Sequence, residues 1–338
     1  METEPVLILG GSGQAGASTG ELLRQWHPNL PLTIAGRSLD RAQRVADELG
    51  AANAVTIDLA RADLGLPAGH SHSAVVATLW DNHLNGLRYA QDHGVPYVSI
   101  SNGLVEIAPE VVAGGQRPNT APILLASHFC AGSVLLATVH LARKFARVDS
   151  IRVGALLDEV DAGGPAGLAD LERLATASSA GLVRRDGVFT WIPEADARVD
   201  VRSIDGTMVP GQQIAVLDVP GLALATGAAD VQLAFAVGES AGRRRGEHPS
   251  IEIRIDLDGA DETGAPLSTS QYLVHPAGQR PLTALGIALG VERLIGLRGE
   301  PVAPGIYTPE ALTDPAFAVE RLTELGASFV SADTPALK

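Results

Sequence analysis

Val6-Leu7-Ile8-Leu9-Gly10-Gly11-Ser12-Gly13-Gln14-Ala15-Gly16 is the stretch whose reading decides the fold. Its apolar run carries no charge, as expected of a strand buried on both faces in a parallel sheet. The run enters a glycine-rich turn directly, and a helical stretch follows from Ala17 to Gln25, with Leu22 and Leu23 on one side and Arg24 on the other. Strand, glycine turn and helix in that order are the context a dinucleotide fingerprint requires. Gly11, Gly13 and Gly16 give the G-x-G-x-x-G spacing, and Gly10, Gly13 and Gly16 give a second register. The first glycine permits the tight turn, the middle one lets backbone approach a pyrophosphate, and the last lets helix and strand pack closely. With Ser12, Gln14 and Ala15 between them, these residues present the N–H groups and positive end of a helix N-terminus to phosphate.

The next strand, Leu32-Thr33-Ile34-Ala35, ends in Gly36-Arg37-Ser38. An NAD site places an Asp or Glu near this tip to accept from the ribose 2′-OH. The tip holds a cation and a hydroxyl instead. Arg37 has the planar fork that grips phosphate and a flat face to lie on adenine. Ser38 either adds a hydrogen bond or caps the helix starting at Leu39. The residues point to NADP(H), with Arg37 the discriminating group and Arg41, one turn on, a second candidate.

At 338 residues the chain has room for two domains. Its net charge of −14 argues against nucleic acid or an anionic membrane as the main partner. A single cysteine, Cys130, excludes an intrachain disulfide and a cysteine-based metal cluster. The acidic Met1-Glu2-Thr3-Glu4-Pro5 leads into a strand and does not read as a signal peptide. Ile123 to Ala142 is free of Asp, Glu, Lys and Arg, but Ser127-His128 and Gly132 interrupt it, and it fits strand, loop and helix better than a membrane span. A cytoplasmic protein is expected. Lysine occurs only at Lys144 and Lys338.

Along the chain, Leu39 to Leu49 reads as a helix closed by Gly50. Ala54 to Ile57 reads as a third strand with Asp58 at its tip, placed either to touch the adenine edge or to cap a turn. A fourth strand, Ala74 to Thr78, precedes a helix from Asn82 to His93 that Gly94 ends. Tyr97 to Ile100 and Ile123 to Ala126 are the fifth and sixth strands. This alternation gives a doubly wound parallel sheet, a Rossmann domain over residues 1–127. Ligands bind such sheets at the carboxyl ends of the strands. That rule directs attention to Thr78–His83, Ser101–Gly103 and Ser127–Gly132.

A helix runs from about Ala131 to Phe145, and the texture then changes. Ile151 to Leu156 reads as a strand and Leu168 to Ala180 as a helix. Short strand-like pieces follow at Arg185–Val188, Ile204–Thr207 and Val219–Gly221. Ile251 to Leu257 alternates strictly, Asp261 to Ala265 is turn-rich, and Ser268 to Val274 pairs back antiparallel. Residues 128–280 thus read as a mixed α+β domain on a mainly antiparallel sheet with one wet face. Leu282–Leu297 and Asp314–Leu325 read as helices and Ser328–Val330 as a strand, with residues 281–338 a return to the first domain. Arg243-Arg244-Arg245 is a charge run, read as a solvated loop or a carboxylate clamp.

The opening Val-Leu-Ile-Leu-Gly-Gly-Ser-Gly-Gln-Ala-Gly, the Ala35-Gly36-Arg37-Ser38 after the second strand, Leu282-Thr283-Ala284-Leu285-Gly286 after a hairpin and the run Pro304 to Glu310 together resemble the saccharopine dehydrogenase/reductase-like NAD(P)-dependent oxidoreductases. The resemblance implies a Rossmann domain, a mixed second domain that closes over the cofactor and dimerises, and a C-terminal return. It implies hydride transfer at a C–N bond, imine to amine. Saccharopine-oxidising members resemble one another in a Lys/His pair, whereas this chain places no lysine near the strand ends. Related chains carry Gly-x-x-Pro-Gly where this one has His128-Phe129-Cys130-Ala131-Gly132.

Imine reduction needs the nicotinamide against the imine carbon, a proton near nitrogen and exclusion of water. His128, directly after the sixth strand, is the first candidate acid, since its ordinary pKa suits proton donation near neutrality. His83 and Asp81 follow the fourth strand, near the expected nicotinamide ribose. Asn102 and Ser101 follow the fifth, where an amide can hold a carboxamide or substrate. Thr78 completes the cofactor set with Gly10–Gly16, Arg37, Ser38 and Asp58. Tyr272 and His275 read as sheet surface or as groups closing the pocket, and Trp191 as lining a cleft or a dimer face. No histidine spacing supports a metal site. The expected partner is a small imine or amine, with Arg184, Arg185 or Arg243 available to clamp a carboxylate. Reduction of an activated C=C or C=O bond on the same scaffold is the alternative activity. A nucleotide-sensing regulator without chemistry is the alternative from another class.

Overall fold

An uncharged strand must be covered on both faces, and Val6–Leu9 (β1) is buried along its whole length. In the computed structural model, which describes residues 4–161, 164–177 and 179–332, β1 is the centre of the first of two units. The elements around it follow in order: α1 (Gln14–Trp26), β2 (Leu32–Gly36), α2 (Leu39–Leu49), β3 (Ala52–Thr56), β4 (Ala74–Ala77), α3 (Asn85–His93), β5 (Tyr97–Ser99), α4 (Ala108–Gln116) and β6 (Pro122–Leu125). Across the sheet the order is β6-β5-β4-β1-β2-β3, with Gly305–Tyr307 added outside β6 and every neighbour parallel. The winding reverses between β1 and β4, and the carboxyl end of β1 is flanked there, Leu9 standing opposite both Ala35 and Ala77. This is the doubly wound arrangement the alternation predicts.

Local chemistry sets the element ends. Ser38 accepts the Arg41 N–H at 3.4 Å and so caps α2, whose Ala42, Ala46 and Leu49 form its buried stripe. Gly94 takes a left-handed conformation and closes α3. That helix starts at Asn85 rather than Asn82, because Leu84 is itself left-handed. Helix α4 and its buried Glu110 are absent from the sequence reading, since Gly114-Gly115 and Pro109 resemble a loop.

The second unit takes His128 to Leu282, except for a few residues near Gly164, and the chain from Asp314 on. Helix α5 (Ser133–Ala142) is buried on nearly every side and packs against Asp218–Thr226 and Pro315–Glu324. The sheet is centred on β7 (Arg147–Asp158). Its order is Arg198–Arg202, Met208–Gln213, Asp230–Gly238, β7, Ile251–Ala260, Pro266–His275 and Ser328–Ser331. Only the Asp230–Gly238 pairing with β7 is parallel, and the rest along this path are antiparallel. The alternating Ile251, Ile253, Ile255 and Leu257 are fully buried, and the hairpin closes through Asp261, which accepts the N–H groups of Thr263 and Ala265. A bulge at Asp258/Gly259 depends on glycine, since a Cβ there would lie 2.0 Å from the Arg147 carbonyl oxygen.

Three expectations change. Val219–Gly221 lies in helix Asp218–Thr226, not in an extended piece, and Arg185–Val188 and Ile204–Thr207 are hairpin ends rather than strands. Asp230–Gly238, unforeseen in the sequence, is a central strand. The tail divides: Gly305–Tyr307 extends the first sheet, whereas Ser328–Ser331 pairs with Pro266–His275 in the second, so residues 281–338 do not return as one piece. Among the described residues no helix is long and apolar enough to cross a membrane.

Before β4 lies a buried histidine, His72, which is 4% exposed. Its Nδ1 shares a 3.0 Å hydrogen bond with the Tyr89 hydroxyl, and its Nε2 has no partner among the described residues. Burial, with His70 and His93 nearby, pushes its pKa down to about 4. The unfolded chain therefore takes up this proton first as pH falls. The contribution of His72 is full above pH ~6.5 and is lost progressively toward pH 4, by on the order of 3 kcal/mol. In thermal melts, His72→Gln is expected to show a smaller drop in Tm between pH 7.5 and pH 5 than the wild type.

Candidate functional site

The glycine turn after β1 is held largely by its own backbone. Gly10 and Gly11 N–H both donate to the Ala35 carbonyl, and Gly13 N–H donates to Gly10 at 2.8 Å. Gly10 has φ +81°, and a Cβ on Gly16 would lie 2.6 Å from the Gly10 oxygen. Gly16 is thus the glycine that lets α1 seat against the turn. Gly13 opens α1 without any side-chain cap, and the first turn carries no acid. The N–H groups of that turn, in the Gln14-Ala15-Gly16 segment, thus have no acceptor from a capping side chain.

Around this turn the structure gathers four of the expected residues. The Ser12 hydroxyl lies where a Cβ on Gly36 would come within 3.1 Å. Arg37 is exposed at the end of β2 and has no hydrogen bond or ion pair among the described residues. Arg41 reaches back so that its guanidinium donates to the Ser12 carbonyl at 3.5 Å. On the other flank, Thr78 is buried and donates to the Leu9 carbonyl at 2.9 Å, and its oxygen would lie 2.8 Å from a Cβ on Gly10. Thr78 shapes the turn with its hydroxyl already used. Asp58 is exposed and accepts the Ala60 N–H at 3.0 Å, so of its two expected roles it performs the turn cap.

At the ends of β4 and β5 the candidates behave differently from one another. Asp81 is buried and accepts the N–H groups of Asn85, Gly86 and Leu87, which makes it the cap of α3. Burial pushes its carboxyl pKa upward against the pull of those donors. His83 is exposed in the turn before α3, at the strand-end edge. Asn102 is buried, and its backbone N–H donates to the Ser127 hydroxyl at 3.2 Å. Sequence reasoning missed Glu110 because its partners, Tyr97 and Ser99, lie on a different element.

His128 belongs to the second unit. It is buried, with Nε2 where a Cβ on Gly221 would lie 3.1 Å away. The next N–H, of Phe129, donates to the buried Asp218 at 2.7 Å. Cys130, Ala131 and Gly132 all have positive φ, so the segment turns left-handed before α5. Cys130 is a buried packing residue.

The clamp candidates are engaged within the unit. Arg243 pairs with Asp158 at 3.1 Å and Glu159 at 2.7 Å, Arg244 with Asp205, and Arg245 with Glu247. These partners explain the charge run as a structural braid. Arg184 donates to the Ala223 and Ala228 carbonyls, whereas Arg185 is exposed on a hairpin. Tyr272 and His275 are neither sheet surface nor open pocket. Both are buried, bonded to the carbonyls of Arg202 and Ser203 and of Leu325 respectively. Trp191 is exposed on the same hairpin as Arg185. Among the described residues no group of His, Cys, Asp and Glu is arranged to hold a metal ion.

No protein-family model matches the chain, and no curated protein matches it. Solved structures do. The chain is similar to apo saccharopine dehydrogenase (L-Glu forming) from Saccharomyces cerevisiae, with TM-score 0.68 and 11% identity over 97% of this chain and 100% of that one. It is similar to a myo-inositol dehydrogenase from Corynebacterium glutamicum, with TM-score 0.50 and 13% identity over 96% of this chain and 95% of that one. At such identities the likeness establishes the fold alone, an α/β fold whose first unit is built on a doubly wound parallel sheet. Within that unit the cap on α3 is directly testable. Asp81→Ala leaves three N–H groups without their acceptor and is expected to lower stability by about 1–2 kcal/mol in urea melts, with the parallel sheet retained.

Proposed function

We propose that the protein is an NADPH-dependent oxidoreductase that transfers hydride to an imine, or oxidises the corresponding amine. The observation that carries the cofactor half is the unpaired Arg37 at the end of β2, with Arg41 and Ser12 beside it and no carboxylate at the tip. A ribose 2′-phosphate is a dianion that needs such a fork, whereas a bare 2′-OH needs an acceptor. The N–H groups opening α1 serve the pyrophosphate, and Gly10, Gly11 and Gly13 leave room for it. The cofactor supplies the hydride when bound.

The C–N assignment rests on the resemblance in sequence and on the shared fold with a protein named saccharopine dehydrogenase. In this reading His128 gives the proton, and His83 and Asn102 face the nicotinamide end. The arginines foreseen as a carboxylate clamp are committed elsewhere, apart from Arg185, which favours an imine whose recognition does not depend on Arg184 or Arg243. The chain acts as a homodimer in this reading, checked by light scattering.

The test is a parallel titration of NADPH and NADH onto the purified protein. NADPH is expected to bind at least tenfold tighter, about 1.4 kcal/mol. Arg37→Ala is expected to remove most of that preference, and Arg41→Ala a smaller part. Equal affinities in the wild type, or tighter binding of NADH, would overturn the reading. With the cofactor settled, a panel of cyclic and acyclic imines is assayed by loss of NADPH absorbance. Turnover excludes a regulator, and His128→Asn is expected to reduce kcat while leaving the NADPH Kd within twofold. Turnover confined to ketones or activated alkenes would replace the C–N assignment.

A further inference from the structure

Helix Asp218–Thr226 carries a glycine that its backbone does not need. Gly221 is not left-handed, and its N–H donates to the Leu217 carbonyl at 2.9 Å as in any helix. Alanine is the better helix former at such a place, since glycine loses more conformational freedom on folding. The space over Gly221 supplies the reason for it. A Cβ there would lie 3.1 Å from His128 Nε2, 3.5 Å from His128 Cδ2 and 3.3 Å from Leu135 Cδ1. Two neighbours share that space, and the imidazole lies closer and faces it with two atoms.

The same helix holds the residue after the histidine. Asp218, fully buried in the first turn, accepts the Phe129 N–H at 2.7 Å. The Phe129 ring meets Phe235 edge to face, with 5.8 Å between centroids. The His128 carbonyl in turn accepts the Ala131 N–H at 3.0 Å. The backbone conformation reached this way is costly. Cys130 and Ala131 follow one another at φ +50° and +53°, where a Cβ crowds the next carbonyl oxygen. Such residues persist only where surrounding contacts over-determine them, and they cluster where a functional side chain is held in one geometry.

We propose that Asp218 and Gly221 are positioning residues for His128, the carboxylate holding the backbone that follows the histidine and the glycine giving the imidazole a single seat against the helix. This rests on the reading above, in which His128 gives the proton. Neither residue is assigned a contact with substrate. Both act through the ring, because a proton donor displaced from its place by part of an ångström transfers its proton less well.

The ring itself is the first readout. Long-range 1H–15N spectra of histidine-labelled protein, with His128 assigned by its loss in His128→Asn, are recorded for wild type, Gly221→Ala, Asp218→Ala and Asp218→Asn. Thermal melts confirm that each folds. Gly221→Ala and Asp218→Ala are expected to move the His128 ring signals and leave those of the remaining histidines in place. Asp218→Asn keeps an oxygen for the Phe129 N–H and is expected to keep the wild-type signals. On an imine that the wild type turns over, Gly221→Ala is expected to lower kcat about tenfold with KM and the NADPH Kd within about twofold, a split that lost stability alone does not produce. Should Asp218→Ala fail to fold, Gly221→Ala, whose added methyl favours the helix, carries the test. Unmoved His128 signals in Gly221→Ala, or signals that move while kcat does not, overturn the inference and leave the proton-donor reading to His128→Asn. Asp218→Asn signals that match those of Asp218→Ala remove Asp218 from the pair. Wild-type kcat in His128→Asn, or no imine turned over at all, overturns the reading and the inference together.

Discussion

The first unit depends on one close approach. At Gly16 a hydrogen stands where any other residue would put carbon 2.6 Å from the Gly10 carbonyl and 2.7 Å from the Gly11 Cα. Only that hydrogen lets α1 sit on the turn after β1. Because β1 is the strand at which the sheet reverses its winding, the seat of α1 fixes what stands on either hand: Gly36 and Arg37 toward β2, Thr78 toward β4. The electrostatics follow from the same contact. The helix starts at an uncapped glycine with no acid in its first turn, so the positive end of its dipole is not neutralised by its own side chains.

A second rule operates away from the glycines. Loops at the strand ends are fixed by buried carboxyls rather than by apolar packing. Asp81 gathers the N–H groups of α3, and Glu110 accepts from Tyr97 and Ser99 of β5. In the second unit Asp158 accepts from Val160 and Ser240 and pairs with Arg243, and Glu252 accepts from Ser203, Ile204 and Ala241. Each group costs desolvation and is answered by several donors at short range. The result is a set of loops whose backbone is tied to buried carboxyls.

Legibility in the sequence followed the range of the interactions. β1, the glycine turn, β2 and α2 are specified by neighbours in the chain, and the Ser38 cap and Gly50 closure appear where local chemistry puts them. The hairpin of Ile251–Ala260 and Pro266–His275 is legible because alternation and the Asp261 turn are local. Asp230–Gly238 was not legible: it is a parallel partner of β7, flanked by no turn pair of its own, and only the sheet makes it a strand. Helix Asp218–Thr226 was hidden by Pro220 and Gly221, residues that read as a turn until Asp218 and the packing on α5 are known. Glu110 and the partners of Arg243 and Arg244 were hidden for the same reason, since a carboxylate's partners across tens of residues leave no mark on spacing. Of the candidate site, the glycine turn and Arg37 stand in order along the chain, and the rest is assembled from afar.

The divided tail has a consequence for how the molecule comes into being. The first sheet lacks its outer strand until Gly305–Tyr307 has been made, and Gly290 must be in place for its helix to lie on Leu124 of β6. The second sheet lacks its edge until Ser328–Ser331 arrives to cover Pro266–His275. On a ribosome neither unit is closed when its own main segment has emerged, and β6 and then the Pro266–His275 strand wait with unpaired backbone groups. Each sheet receives an edge strand from chain made well after its main segment, first Gly305–Tyr307 and then Ser328–Ser331, so a chain that stops between them leaves the Pro266–His275 edge open in a sheet whose core is already packed.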